Sequence, residues 1–248
     1  MGQLTHTLVE LGWTIPVVPE MDDLTVGGLV MGTGIETSSH KQGLFQHICL
    51  SYELVLADGS VVNCSKDENL DLFYSVPWSY GTLGFLTAVE IKIIPAARFV
   101  KMEYKPCYSI ENLVDTFTAE TQRTEGNQFV EGLMYSLHSG VVMTANMSNT
   151  AEPGKVKIHS IIINVAPVQS IDPKRQINEI GRWFKPWFFK HVEEYLDKGQ
   201  GGVEYIPLRD YYHRHTRSIF WEIQVHPLCL SFSFRLDIIG PSIFCIFI

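Results

Sequence analysis

The sequence lacks the features that would assign it to a membrane-spanning, nucleic-acid-binding or repeat class. Its 248 residues contain no run of 18 uncharged apolar residues, so no clear transmembrane helix is predicted. Lys and Arg total 19 against 27 Asp and Glu, and the net charge of −8 argues against nonspecific binding to nucleic acid, which needs a basic surface. There is no low-complexity tract and no internal repeat.

Cysteine is too scarce and too scattered for a disulfide framework or a zinc site. The five cysteines are odd in number and include no C-x-x-C pair, which indicates reduced thiols in a cytosol-like compartment. The first residues also lack the basic and apolar parts of a secretory signal peptide. We therefore expect no metal site and no disulfides. The cysteines are Cys49, Cys64, Cys107, Cys229 and Cys245.

Glycine, in contrast, is concentrated in a glycine-rich segment near the N-terminus, residues 25–40, which contains four glycines. Glycines tolerate positive φ and let a backbone approach a ligand closely, and successive N–H groups in such a segment suit a pyrophosphate. Hydroxyls at Thr33, Thr37, Ser38 and Ser39 could add donors. No Lys follows the glycines as in a P-loop, and Thr37 stands where the dinucleotide fingerprint needs Gly. The pattern alone leaves a structural turn and a phosphate site both open.

Local patterns predict the elements that flank this segment. Leucines spaced i, i+4, i+7 predict a helix over residues 2–11, which Gly12 ends. Asp58-Gly59 between two β-rich runs predicts a hairpin over residues 52–63 with a two-residue turn. A helical turn is expected at residues 71–77, a second glycine turn at residues 80–85, and a half-buried strand at residues 87–93.

A second unit is predicted to start near residue 98. We expect a strand at residues 100–104, a helix over residues 110–122, strands at 129–137, 141–147 and 158–165, and a turn at Glu152-Pro153-Gly154. An amphipathic helix is expected after Pro186. From Val225 the sequence is apolar without a clear period.

Four short motifs in this order resemble the second half of the FAD-binding domain of the PCMH, or vanillyl-alcohol-oxidase, flavoprotein superfamily. The resemblance implies the C-terminal half of a PCMH-type FAD-binding domain at residues 1–97, followed by part of an α+β substrate or cap domain at residues 98–224. Residues 155–175 are then expected to be an insertion and residues 225–248 a divergent tail. The motifs are Thr25-Val26-Gly27-Gly28, residues 53–59, Asp71-Leu72-Phe73-Tyr74 and Gly81-Thr82-Leu83-Gly84-Phe85.

Longer segments resemble the sterol-reducing branch of that superfamily. They are residues 24–40, 77–79, 185–191 and 205–222, and the resemblance covers residues 1–154 and 177–224. This branch implies reduction of the side-chain delta-24 double bond of a sterol, with FAD as cofactor and NADPH as reductant. It also implies an endoplasmic reticulum membrane location for the complete protein. The oligomeric state stays open.

Departures from the branch leave the activity of this chain open. We expect it to be truncated at both ends, without the family's membrane anchor, first flavin subdomain and large C-terminal substrate region. One alternative is an FAD-dependent oxidase of the same superfamily acting on sugars or lactones. Another is a non-enzymatic truncated chain that acts only by interaction, with the apolar residues 243–248 exposed.

By resemblance, residues 25–37 are the FAD-binding segment. Gly81 to Gly84 could be a second contact or a plain tight turn, and His40 could face the isoalloxazine or be a satisfied polar histidine. The acid that would protonate the substrate is not assigned. The candidate cofactor-binding residues are Thr25, Val26, Gly27, Gly28, Leu29, Val30, Met31, Gly32, Thr33, Gly34, Ile35, Glu36 and Thr37.

Two further clusters carry alternative interpretations. The donor-rich run Tyr211–Arg217 could meet flavin, a sterol hydroxyl or a nicotinamide phosphate, or could form a surface or interdomain salt-bridge cluster. Its His213-x-His215 pair mimics a metal site but lacks an evident third ligand. The aromatic residues Trp183, Trp187, Phe188 and Phe189 could line a sterol-sized pocket, or could form the packed face of a helix.

Overall fold

The computed structural model describes residues 1–155, 188–215 and 244–246. Its contacts divide the chain into one compact unit over Met1–Ala97 and a second that begins at Arg98. Both units combine helices with antiparallel sheets, which confirms the predicted α+β class. Within the described part, no helix is long and apolar enough to span a bilayer.

The first unit opens with a helix and contains two small sheets. Helix α1 packs against strand β1, which pairs with β5, and strands β3, β2 and β4 form a three-stranded antiparallel sheet in that order. Its elements are α1 (Gly2–Glu10), β1 (Trp13–Thr14), α2 (Val26–Met31), α3 (Ser39–Gln42), a 3-10 turn (Phe45–Ile48), β2 (Cys49–Val55), β3 (Val61–Ser65), α4 (Leu70–Ser75), β4 (Phe85–Ile91) and β5 (Ile94–Pro95).

The β2–β3 hairpin is present, but the predicted two-residue turn is wrong. Leu56 N–H donates to Ser60 O, and Gly59 N–H donates to Leu56 O, so three residues form the turn. Gly59 has φ of 84°, the left-handed conformation that closes a three-residue hairpin loop. The Asp58 carboxylate accepts from the Ser60 amide and hydroxyl, which fixes the turn from its exposed side.

The second unit is built on a five-stranded antiparallel sheet in the order β10-β7-β8-β6-β9. The helix predicted over residues 110–122 has those bounds, and Ser109 caps it by accepting from Asn112 N–H. The elements are β6 (Phe99–Cys107), α5 (Ile110–Gln122), β7 (Phe129–Ser136), β8 (Ser139–Ser148), α6 (Phe188–Lys198), β9 (Gly202–Pro207), α7 (Leu208–Tyr212) and β10 (Phe244–Ile246).

Strand β7 is buried along almost its whole length because helices cover both faces of the sheet. Val130 and Met134 join the core beneath α5, which includes Leu113 and Phe117. Tyr135, which follows Met134, points the other way and donates its hydroxyl proton to the carbonyl oxygen of Phe189 on α6. A strand covered on both faces has no solvent-exposed face, so the burial does not alternate along it.

Several predicted segments fall wholly or partly outside the described residues. These are the strand at residues 158–165, Trp183, Trp187, the insertion at 155–175 and most of the tail. Within the tail, Phe244–Ile246 pairs antiparallel with β7, from Phe244 opposite Met134 to Ile246 opposite Gly132. The assignment of the two units to flavin and substrate domains stays a prediction.

Candidate functional site

The glycine-rich segment begins with a capped helix. Thr25 has extended backbone angles, and its hydroxyl accepts from the Gly28 amide at 3.1 Å, which is the geometry of a helix N-cap. Leu29 N–H donates to Thr25 O to close the first turn. The amides of Val26 and Gly27 precede any intrahelical acceptor, so they are oriented outward at the positive end of α2.

Close packing, and not positive φ, explains the glycines at positions 28, 32 and 34 of this segment, which corrects the sequence-based argument. None of Gly27, Gly28, Gly32 and Gly34 is among the residues with positive φ. An added Cβ would lie 2.9 Å from Thr25 Oγ1 at Gly28 and 3.0 Å from Gly28 O at Gly32. At Gly34 it would lie 3.0 Å from both Leu29 Cδ2 and Phe45 Cβ.

Gly27 differs from its neighbours because nothing inside the unit requires a glycine there. An added Cβ would meet only Leu86 Cδ2, at 4.0 Å, which is ordinary contact distance. The space in front of Gly27 is therefore open to a ligand that approaches the backbone.

The structure joins the two glycine segments that the sequence singled out. Trp78 N–H donates to Val30 O at 3.2 Å, and Tyr80 N–H donates to Met31 O at 3.1 Å. The connection needs left-handed backbone at Trp78, Tyr80 and Gly81, whose φ values are 67°, 52° and 78°. The second turn thus satisfies carbonyl groups at the C-terminal end of α2 and fixes it to the segment ahead of β4.

The candidate residues divide into those that face solvent and those that anchor the segment. Thr25, Gly28, Thr33 and Ile35 are exposed, and Val26, Gly27, Met31 and Gly32 are partly exposed. The buried residues Leu29, Val30, Gly34, Glu36 and Thr37 hold the segment against the core.

Two of the hydroxyls proposed as additional donors are used internally. The buried Ser38 hydroxyl donates to Pro16 O at 2.8 Å, and Ser39 Oγ accepts from the Glu36 amide at 2.8 Å. His40 lies half-exposed on α3. The FAD-contact roles of residues 25–37 and of His40 stay predictions.

As far as it is described, the run Tyr211–Arg217 forms an ion-pair cluster, but the cluster is buried within the second unit, which corrects the predicted surface or interdomain location. Arg214 Nη2 lies 2.6 Å and Nε 3.2 Å from Glu131 Oε2, and His215 Nε2 lies 2.6 Å from Glu131 Oε1. Burial of Glu131 opposes its ionisation, but Arg214 and His215 outweigh it and lower the pKa of Glu131 to about 2.

A second buried carboxylate was not found from the sequence. Glu204 accepts from the Tyr104 hydroxyl at 2.9 Å and the Tyr195 hydroxyl at 2.7 Å, and His191 Nε2 lies 2.9 Å from it. Burial raises the pKa of Glu204, but these partners outweigh burial and lower the pKa to about 2. Tyr104 and Glu204 are 100 positions apart, so no local pattern could have indicated the cluster.

The aromatic residues of α6 pack in the interior. Phe188 and Phe189 are buried, and the Phe188 ring makes an edge contact with His215 at 5.1 Å. This supports the helix-packing interpretation for those two residues. Among the described residues, no group of three His, Cys, Asp or Glu side chains could hold a metal ion.

Comparison with known proteins defines the class first. Residues 1–65 match the FAD binding domain family, so the segment around α2 lies inside a region related to flavin-binding proteins. The predicted resemblance to a PCMH-type FAD-binding fold is confirmed.

More particular relatives are the delta(24)-sterol reductases. The chain is 59% identical over 224 residues to the human protein of that name, covering 90% of this chain and 39% of that protein. It is 42% identical over 246 residues to the Pisum sativum protein, covering 95% of this chain and 40% of that one. The resemblance to these oxidoreductases is therefore confirmed over the part that the chain spans, about two-fifths of their length.

A more distant similarity is to a dehydrogenase. Cytokinin dehydrogenase 4 of Oryza sativa is 27% identical over 143 residues, covering 56% of this chain and 25% of that protein.

Proposed function

We propose that the chain contributes part of the FAD-binding surface of a sterol reductase that reduces the delta-24 double bond with electrons from NADPH. The family match over residues 1–65 supports the cofactor, and the relatives named delta(24)-sterol reductase support the sterol substrate. The use of NADPH and an endoplasmic reticulum membrane location are inferred from the resemblance.

The opening in front of Gly27 is the observation that carries this proposal. Outward amides of Val26 and Gly27 at the positive end of α2 suit an anionic group such as a pyrophosphate. Gly27 leaves that approach free of any side chain, although packing would tolerate a Cβ there. The exposed Thr33 hydroxyl lies beyond the other end of α2 and supplies a further donor. These features fit the cofactor that the resemblance implies.

Bound FAD supplies hydride transfer between a nicotinamide and the sterol alkene. The residues of this chain position it: Val26 and Gly27 donate to the anionic part, while buried Leu29 and Val30 keep α2 in place. The hydrogen bonds from Trp78 and Tyr80 to the end of α2 limit its movement. The residue that protonates the alkene carbon is not assigned.

The test measures how much flavin the purified 248-residue chain retains. FAD is added, the protein is desalted, and the visible absorption spectrum is recorded. Wild type should keep a flavin spectrum, and Gly27→Phe should lose it while circular dichroism stays unchanged. Val61→Phe is the matched control, since Val61 is an exposed apolar residue on β3 of the same unit. Equal retention by all three proteins would remove Gly27 from the site.

Two alternatives are separated by the same preparation. An FAD oxidase or dehydrogenase, which the similarity to cytokinin dehydrogenase 4 favours, predicts that an organic substrate bleaches the flavin without NADPH. A sterol reductase predicts that NADPH bleaches it and that a delta-24 sterol restores the colour. A wild-type chain that never retains FAD would favour the non-enzymatic interpretation.

A further inference from the structure

A cleft beside strand β2 carries an inference beyond the proposed flavin segment. It has a volume of about 390 Å³ and lies among the 3-10 turn, β2, the end of β3 and α4 of the first unit. Pockets for drug-sized ligands range from about 300 to 1,000 Å³. The cleft is at the low end of that range, so it suits one ring system with a substituent better than a dinucleotide.

Aromatic side chains form the walls of the cleft. Phe73 is buried and stacks on Tyr52, with ring centroids 5.2 Å apart, while Tyr74 and Trp78 remain 64% and 49% exposed. Trp78 is held beside the cleft by left-handed backbone, with φ of 67°, a conformation that non-glycine residues adopt rarely. Exposed aromatic faces next to a buried aromatic floor favour a planar ligand.

Two polar atoms in the walls lack oxygen or nitrogen partners among the described residues. They are Gln46 Oε1 and the hydroxyl of Tyr52, and both are inaccessible to solvent. The Tyr52 hydroxyl lies beside the Cys49 thiol, and burial raises the pKa values of both groups. Buried polar atoms in proteins are nearly always hydrogen-bonded. Gln46 lines the cleft and is partly exposed, so a rotation of its side chain would present the amide oxygen to an N–H donor of a ligand.

The charged residue that lines the cleft indicates the sign of the ligand's charge. Lys66 is the one Lys, Arg, Asp or Glu among the described residues that line the cleft. Asp67 and Glu68, which follow it, line the neighbouring groove instead. An exposed ammonium group at the rim of an aromatic cleft attracts an anion and disfavours a cation.

We propose that this cleft binds a small planar heteroaromatic anion that carries an amino or ring N–H donor, a chemistry represented by a purine mononucleotide. The ring lies against Trp78 and Tyr74, the donor reaches Gln46 Oε1, and the anionic group pairs with Lys66.

Calorimetric titration of the 248-residue chain with three probes tests each element of the cleft. AMP has the ring, the donor and the charge, adenosine lacks the charge, and ribose 5-phosphate lacks the ring. AMP should bind most tightly, adenosine several-fold more weakly, and ribose 5-phosphate not measurably. Equal binding of all three probes, or none at millimolar concentration, would overturn the proposal.

Variants then assign the binding to the cleft. Gln46→Leu should weaken the binding of AMP by about tenfold, which is the change in affinity expected for the loss of one buried hydrogen bond. Lys66→Met should make AMP and adenosine bind alike, whereas Lys92→Met, an exposed lysine outside the cleft, should change nothing. If Gln46→Leu fails to fold, Gln46→Asn can be used instead. It withdraws the amide by one methylene and should weaken the binding of AMP to a similar extent.

Titrations with AMP in saturating FAD and with Gly27→Phe separate the cleft from the flavin segment. AMP binding in the cleft should persist under both conditions. Loss of AMP binding in Gly27→Phe, together with its retention in Gln46→Leu, would assign AMP to the flavin segment and overturn the cleft. Flavin retention by the Lys66 and Gln46 variants keeps a failure here distinct from a failure of the proposed function.

Discussion

Arg214 and Glu131 form a buried ion pair in the second unit, with Arg214 Nη2 2.6 Å from Glu131 Oε2 and both side chains only 2% exposed. The Arg214 guanidinium also donates to Tyr211 O and lies over the Tyr211 ring at 4.3 Å. The pair connects β7 to the chain that follows α7 across 83 positions of sequence. Its role in stability follows from its burial, since neither charge can be solvated if the other is removed.

Glu131→Gln is expected to destabilise the protein by about 3–5 kcal/mol, because it leaves the Arg214 charge buried without a carboxylate. Urea denaturation at pH 7 measures the loss. Glu125→Gln is the control, since Glu125 is exposed and the substitution should change stability by less than about 0.5 kcal/mol. A loss in Glu131→Gln as small as that of the control would mean that water solvates the pair.

Acid should destabilise the second unit. The pKa values of Glu131 and Glu204 fall from the usual 4.5 to about 2 in the folded protein. A lowered pKa contributes stability that is complete above pH 4.5 and is lost as the pH falls toward 2, because the unfolded chain takes up the protons first. The free energy of unfolding, measured from pH 6 to pH 3, should therefore decline. Glu204→Gln should reduce the slope, and an unchanged slope would contradict the assignment.

Thr25→Ala should lower the stability of the first unit by about 1 kcal/mol, because the Gly28 amide loses the hydroxyl that caps α2. Thermal unfolding followed by circular dichroism measures the change. Thr33→Ala is the matched control, since Thr33 is exposed beyond the other end of the helix. If the two variants unfold at the same temperature, the cap contributes nothing measurable.

Alanine substitutions should distinguish Gly34, which close packing requires, from Gly27, which leaves room for a ligand. Gly34→Ala places a Cβ 3.0 Å from Leu29 and Phe45 and should destabilise the unit by about 1–3 kcal/mol through overpacking. Gly27→Ala meets no close atom and should leave stability unchanged or raise it by up to about 1 kcal/mol, while weakening FAD retention. The same denaturation series measures both. Destabilisation by Gly27→Ala equal to that of Gly34→Ala would show that packing, and not ligand access, explains the glycine.

The local helices and strands of this protein could largely be predicted from its sequence. The helix Ile110–Gln122 and the strands that follow could be predicted because hydrophobic periodicity acts over a few residues. The order of the glycine motifs also identified the flavin superfamily, and the family match over residues 1–65 agrees.

The contacts between residues far apart in the sequence became known only from the tertiary structure. It joined Val30 to Trp78 and enclosed Glu131 with Arg214 and His215. It also showed that Gly34 is a packing glycine, whereas Gly27 is open to a ligand. Such pairings depend on which surfaces come together when sheets and helices pack. That information is distributed over the whole fold, and local sequence does not carry it.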